Sequence, residues 1–126
     1  MSKKRINTEK APAAIGPYSQ AIVTGNLLFT SGQLPIDPAT GKLSAGSIEE
    51  QAHIVFRNLQ AIAEAAGTSL DSAVKTTVFL ADIKNFQAVN TVYAEYFKEP
   101  FPARSAFQVA ALPLGADLEI EAVFEL

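Results

Sequence analysis

The chain has 126 residues, of which 48% are hydrophobic and 18% are charged, and its formal net charge is −3. This length and composition are typical of one folded domain with its own core, and they exclude a disordered chain. The acidic balance provides no general attraction to nucleic acid or to acidic lipid, and we expect the small basic cluster at residues 3–5 to be a solvated terminus.

Two residue types that often carry chemistry are scarce. The chain has no cysteine and one histidine, His53. Disulfides and thiolate chemistry are therefore excluded, and a metal centre built on Cys or His is not expected. No apolar run approaches the roughly 20 residues of a membrane span. We expect a cytoplasmic protein without membrane contact, which forms a single domain over residues 1–126.

The first part of the chain is predicted to form strands. Residues 4–8 give a weak strand signal. Gly25-Asn26 predicts a tight hairpin turn between strands at residues 21–24 and 27–34, because such pairs suit the positive φ of that turn.

Two features near this hairpin point to a site. Ser31-Gly32 interrupts the second arm, and a glycine inside a strand indicates a bulge or a close approach by another group. The loop at residues 10–17 delivers Tyr18 to the start of the first arm. Tyr18 is either a core residue or a polar group in a pocket, since a buried tyrosine needs a partner for its hydroxyl.

The first helix is predicted from its capping box. Ser47 and Glu50 are spaced so that each side chain can bind the other's backbone, and Gly67 is a natural stop. His53 falls away from the apolar stripe, so we expect it to be a solvated surface residue and not a catalytic base. The stripe consists of Ile48, Ala52, Val55, Phe56, Leu59, Ile62, Ala63 and Ala66.

A strand at residues 74–81 and a second helix, which begins at Asp82, follow. Asn90 lies one turn after Phe86, on the apolar side of this helix. An amide there is either paired within the core or directed at a ligand. The sequence leaves both possibilities open.

The chain ends in two predicted strands, residues 103–110 and 117–126, which we expect to be joined as a hairpin. The element order is then β-β-β-α-β-α-β-β, an α+β fold with two helices on one face of a six-stranded mixed sheet. Several strands carry apolar residues on both faces. Because two helices cover only one face, we expect oligomerisation through the other.

Arg104 and Glu119 stand in these last strands where apolar residues would be usual. In the expected hairpin, Arg104 lies opposite about residue 122 or 123, on the order of 10 Å from Glu119. An internal ion pair with Glu119 or Glu121 and a site for a small carboxylate ligand both remain open.

Several segments then match one family in the right order. They are Ile15-Gly16-Pro17-Tyr18-Ser19-Gln20-Ala21, Ser31-Gly32-Gln33 with Pro35, Asp37 and Pro38, Val92-Tyr93-Ala94-Glu95-Tyr96-Phe97, Pro102-Ala103-Arg104-Ser105, and Leu118-Glu119-Ile120. Together they closely resemble the signature of the reactive-intermediate deaminase family (RidA, or YjgF-like). The resemblance covers about residues 10–124.

The resemblance implies a chorismate-mutase-like fold that assembles as a homotrimer, with a central barrel and ligand clefts between subunits. The implied reaction is the hydrolysis of reactive 2-imino acids, formed from enamines such as 2-aminoacrylate, to 2-oxo acids and ammonia. No cofactor and no metal are implied. A binding protein for small carboxylates is the main alternative. A ribonuclease or translation-inhibitor role, also associated with the family, is disfavoured by the acidic charge.

The same resemblance implies residue roles. Arg104 would bind the substrate carboxylate, and Glu119 would activate water and move protons. The cleft would be shaped by Tyr18, Ser31 and Asn90, with Phe86 as an apolar wall and main-chain contacts at Gly32 and Ala106. Many members carry cysteine where this chain has Ala106, so thiol chemistry at that position is excluded here.

Overall fold

The computed structural model describes residues 2–126, which form two helices and a six-stranded mixed sheet beside a small ribbon. The sheet order is β1-β2-β3-β8-β6-β7, and β6 and β7 are its parallel pair. Its strands are β1 (Lys4–Ile6), β2 (Ala21–Thr24), β3 (Leu27–Thr30), β6 (Ala73–Leu80), β7 (Ala103–Gln108) and β8 (Leu118–Glu125). The ribbon is β4 (Ile36–Asp37) and β5 (Lys42–Leu43), and the helices are α1 (Ile48–Ala65) and α2 (Phe86–Tyr96). The α+β prediction is confirmed.

Helix α1 begins and ends as its sequence predicts. The Ser47 hydroxyl accepts a hydrogen bond from the Glu50 backbone at 3.2 Å, and the Glu50 carboxylate accepts one from the Ser47 backbone at 3.1 Å. Hydrogen bonding to the Glu50 carboxylate, first from the Ser47 backbone and then from the Ser47 side chain, holds the pKa of Glu50 below its usual value. Gly67, just past the helix, has a φ of +85°, a conformation that side chains rarely adopt.

His53 differs from its prediction. The side chain is half-buried, and its Nδ1 lies 2.8 Å from the hydroxyl oxygen of Tyr96 on α2. The reason is that α2 packs alongside α1 and covers part of the α1 surface outside its apolar stripe.

No helix within residues 2–126 is long and apolar enough to cross a membrane.

The core lies between the helices and one face of the sheet. Along β8, buried and more exposed residues alternate, because successive strand residues point to opposite faces. The large apolar side chains buried on the central strands are Leu28, Val78, Leu80, Leu118, Ile120 and Phe124. We call this the helix side of the sheet, and the other the open side.

The open side also carries large apolar groups. Phe29 and Phe107 are each 43% exposed, and the rings of Phe79 and Phe107 meet edge to face at 5.4 Å. The prediction that both sheet faces are apolar is therefore confirmed. Within residues 2–126 of one chain, both helices lie on the helix side, and no helix covers the open side.

The predicted hairpin of the last two strands is wrong. β6 lies between β7 and β8, pairing in parallel with the first and antiparallel with the second. The reason is that β6, α2 and β7 form a crossover unit, which places β7 parallel to β6 at the sheet edge. The strand β8 then occupies the inner side of β6. Arg104 is level with Ala122, as expected, but two strands away from it.

A β-bulge interrupts the strand that begins at Leu27. Phe29 pairs with Val123, and Gln33 forms an isolated bridge with Ile120. Three residues separate Phe29 from Gln33, but two separate Val123 from Ile120, so one extra residue is inserted near Ser31-Gly32. The prediction of a bulge or close approach at Gly32 is confirmed, and the strand ends at Thr30, before the predicted residue 34.

Candidate active site

The guanidinium of Arg104 is held in place by side chains of α2. Its Nη1 donates a hydrogen bond of 2.7 Å to Oδ1 of Asn90. Its central carbon lies 4.7 Å from the ring centroid of Tyr93 and 5.3 Å from that of Phe86. Both distances fall within the range of cation–π attraction. One N–H is committed to Asn90, and a guanidinium offers five, so others remain for a carboxylate ligand.

Helical spacing brings the three α2 partners of Arg104 together. Phe86, Asn90 and Tyr93 are four and three residues apart, so they lie on one face of α2. Arg104 is the second residue of β7 and level with Thr76 of β6, whose side chain is fully buried on the helix side. Asn90 is paired with Arg104, but this hydrogen bond is exposed beside a surface cavity and does not lie within the core.

Arg104 borders two surface cavities. One has a volume of about 380 Å³ and is lined by Asn90, Tyr93, Ala94, Phe101, Pro102 and Arg104. The other has a volume of about 540 Å³ and is lined by Ile83, Lys84, Phe86, Gln87, Arg104 and Ala106. Each has an apolar wall beside the cation, which suits a small carboxylate with an apolar body.

Glu119 lies on the open side, against the bulge. A Cβ added at Gly32 would stand 2.7 Å from Cδ of Glu119, so the carboxylate occupies the space that a side chain would fill. Burial first, and then the negative charge of Glu121, raise the pKa of Glu119. A half-buried carboxyl with a raised pKa accepts a proton more readily than an exposed carboxyl does, which suits it to proton exchange with a ligand.

A third cavity, with a volume of about 390 Å³, is lined in part by Gly32. Tyr18 is 54% exposed and lines it, so the core interpretation of this tyrosine is wrong. The Ser31 hydroxyl donates a 2.6 Å hydrogen bond to the carbonyl oxygen of Ser19, which ties the Tyr18 loop to the bulge. The other lining residues are Pro12, Ala13, Ile15, Gln20, Gln33, Leu34, Ile36, Pro113 and Leu114.

The sheet separates the two charged residues. Arg104 is level with Thr76 and Ala122, whose side chains lie on the helix side of the sheet. Glu119 pairs with Phe79, on the open side. They are also three residues apart along the strands, with β6 between them. An ion pair of Arg104 with Glu119 or with Glu121 within one chain is thus excluded.

Two residues that support the site were missed by sequence reasoning. Tyr93 stands out in the sequence only as part of a matching segment, although its spacing from Asn90 places both residues on one face of the helix. Gln20 is buried, and its amide donates to the carbonyl oxygens of Thr8, Ala11 and Pro12, which fixes the loop before Tyr18. No spacing rule indicates these loop contacts.

The chain is similar to known proteins over nearly its whole length. A family model described as Endoribonuclease L-PSP matches residues 8–125. The chain belongs to this family. Among relatives of the family, the human 2-iminobutanoate/2-iminopropanoate deaminase is 50% identical over 96% of this chain and 88% of its own length. The chloroplastic Reactive Intermediate Deaminase A of Arabidopsis thaliana is 52% identical over all of this chain and 67% of its own length.

Solved structures of the family have the same fold. The crystal structure of E. coli TdcF with bound serine is 41% identical, covers 98% of both chains and superposes with a TM-score of 0.92. Its ligand shows that this relative accommodates a small amino acid. The resemblance to the reactive-intermediate deaminase family is confirmed.

Proposed function

We propose that this chain is an enzyme that hydrolyses reactive 2-imino acids, and the enamines that give rise to them, to 2-oxo acids and ammonia. The observation that carries the proposal is the preorganised guanidinium of Arg104, fixed by Asn90 and two aromatic rings with donors to spare. Relatives at about half identity are named for this activity, which supports the prediction of an enzyme.

Arg104 binds the carboxylate that every 2-imino acid carries. A planar guanidinium matches a carboxylate in two parallel hydrogen bonds, which fixes the direction of the C=N group as well as its position. Because Asn90 and the rings hold the cation before the ligand arrives, little side-chain freedom is lost on binding.

Glu119 activates the water. Its carboxylate accepts a proton as the water oxygen attacks the electrophilic C=N carbon, and the carbon–nitrogen double bond becomes a single bond. Glu119 then returns the proton to the nitrogen. The hydroxyl proton of this carbinolamine then passes by way of Glu119 to the nitrogen as the carbon–nitrogen bond breaks, so that ammonia leaves and the carbonyl group of the 2-oxo acid forms. A carboxyl with a raised pKa suits both directions of transfer.

The site is proposed to form between subunits of a homotrimer. In one chain Arg104 and Glu119 lie on opposite sides of the sheet, so a ligand that touches both needs a second copy. The open side, with its exposed Phe29 and Phe107, supports packing of copies around a central barrel. Tyr18, Ser31 and Gly32 then complete the Glu119 half, and Phe86 and Ala106 the Arg104 half.

Catalysis is preferred over two alternatives. A carboxylate-binding protein needs Arg104 but has no use for a proton-exchanging Glu119. A ribonuclease or translation inhibitor is supported neither by the net charge of −3 nor by His53, whose ring nitrogen is paired with Tyr96.

The test supplies the imine by means of an amino-acid oxidase or a dehydratase and measures the release of ammonia and 2-oxo acid. Arg104→Ala is expected to lose about 100-fold or more in kcat/KM, since a hydrogen-bonded charge pair contributes about 3 kcal/mol. Glu119→Gln should lose about 10²- to 10⁴-fold in kcat. Glu125→Gln, on the same strand and face, is the matched control. Unchanged turnover in both site variants would overturn the proposal.

A further inference from the structure

We propose that Tyr93 is a positioning residue for the substrate carboxylate, because its ring supports the guanidinium of Arg104. This inference deepens the proposed function and rests on it. The guanidinium carbon lies 4.7 Å from the Tyr93 centroid, closer than to that of Phe86. Tyr93 is proposed to act on the ligand through Arg104.

The Tyr93 ring is itself held from several directions. Its hydroxyl lies 2.8 Å from the hydroxyl oxygen of Thr76, a fully buried residue of β6. Phe56 meets it edge to face at 5.6 Å, and Phe97 packs against it at 4.5 Å. Tyr93 is 5% exposed, so the ring has one orientation available to it.

The hydroxyl pair links this ring to β6, the strand beside the one that carries Arg104. Thr76 on β6 is level with Arg104 on β7, its direct neighbour in the parallel pair. The backbone that carries Arg104 and the Thr76 side chain that holds Tyr93 therefore lie on neighbouring strands. Burial raises the pKa of the Tyr93 phenol, so its proton stays available to this hydrogen bond at neutral pH.

A fixed aromatic ring can orient a guanidinium, whereas a flexible apolar side chain cannot. The negative face of an aromatic ring attracts a cation, and the attraction increases where water is excluded. An arginine whose guanidinium rests on such a ring keeps one plane, and the plane sets the angle at which a carboxylate docks. The aromatic face is therefore required, and the hydroxyl serves to orient that face.

The experiment compares three variants with the wild-type protein. Tyr93→Leu removes the face, Tyr93→Phe keeps it, and Tyr96→Phe removes a hydroxyl of the same helix that does not reach Arg104. The probe is 2-oxobutanoate, whose affinity is measured by calorimetry, beside kcat and KM for the corresponding imino acid. Tyr93→Leu should weaken the affinity and raise KM by about 2- to 30-fold with kcat little changed. Both other variants should stay within about 3-fold of wild type.

Two further readouts separate positioning from a structural role. In the wild type, ring current should shift the Arg104 Nε proton upfield in NMR spectra, and Tyr93→Leu should abolish that shift. In an Arg104→Gln background, Tyr93→Leu should cause no further loss of affinity, because the effect passes through the cation. If the leucine variant does not fold, Tyr93→Met, which fills more of the space without an aromatic face, replaces it.

The outcomes distinguish the inference from the function on which it rests. Wild-type affinity in Tyr93→Leu, or a loss in Tyr93→Phe equal to that in Tyr93→Leu, would overturn the role of the ring. A loss that persists in the Arg104→Gln background would do the same. A wild-type protein that binds 2-oxobutanoate but hydrolyses no imino acid would overturn the proposed function alone, and one that does neither would overturn both.

Discussion

Replacing Gly32 with alanine is expected to reduce the rate of imino acid hydrolysis sharply while the chain stays folded. The new Cβ would stand 2.7 Å from Cδ and 3.0 Å from Cγ of Glu119. Carbon atoms pack at about 3.5–4.0 Å, so the carboxylate must move by roughly 1 Å. The φ of Gly32 lies outside the left-handed region, so alanine brings no backbone strain of its own.

The expected magnitude follows from this displacement. A shift of about 1 Å in a reacting group can cost about 100-fold in rate. Overpacking of this kind costs about 1–3 kcal/mol of stability, and a value at the low end is expected because a side chain end, not backbone, must give way. Activity should therefore fall much more than stability.

The assay measures kcat for imino acid hydrolysis beside urea unfolding. Gly32→Ala should lose about 100-fold in kcat, and shortening the acid in the double variant Gly32→Ala/Glu119→Asp should recover part of that loss relative to the alanine variant. Near-wild-type kcat in Gly32→Ala would refute the reasoning that the glycine makes room for a working carboxylate.

Further predictions concern the cap, the pH dependence and the assembly. Ser47→Ala should cost about 1 kcal/mol of unfolding free energy, measured in urea, and no change would contradict the observed capping box. Glu121→Gln should move the acid limb of the kcat profile to lower pH, because removing its charge lowers the raised pKa of Glu119; a shift to higher pH would be contrary to this cause. The folded state binds the Glu119 proton more tightly than the unfolded state does, so the charged carboxylate costs stability at higher pH. Glu119→Gln should therefore add more unfolding free energy at about pH 7 than at about pH 4. Equal gains at the two pH values would contradict a raised pKa of Glu119. Phe107→Glu should reduce the mass seen by light scattering to that of one chain; an unchanged assembly would exclude the open side as the interface.

The elements that depend on near neighbours could be predicted from the sequence. Ser47, Glu50 and Gly67 delimit α1 because caps and stops act within a few residues. The turn at Gly25 followed in the same way, as did the bulge at Gly32. The identity of the group near Gly32 did not, since Glu119 is remote in the chain.

The pairing of distant strands could not be predicted in this way. Residues 103–110 and 117–126 look like a hairpin because they are adjacent in sequence, yet the β6–α2–β7 crossover places β6 between them. That single change moves Arg104 one strand further from β8, to the sheet edge. The residues proposed for the site form a family pattern that can be read from the sequence, while their placement on the two sides of the sheet required the structure.

Mixing two inactive variants tests the shared site most directly. Arg104→Ala and Glu119→Ala chains are unfolded together, refolded as mixed oligomers and assayed for imino acid hydrolysis. If each site takes Arg104 from one subunit and Glu119 from another, random mixing restores both residues in about a quarter of the sites, so about a quarter of wild-type activity should return. Activity no higher than that of the separately refolded variants would contradict a site built between subunits.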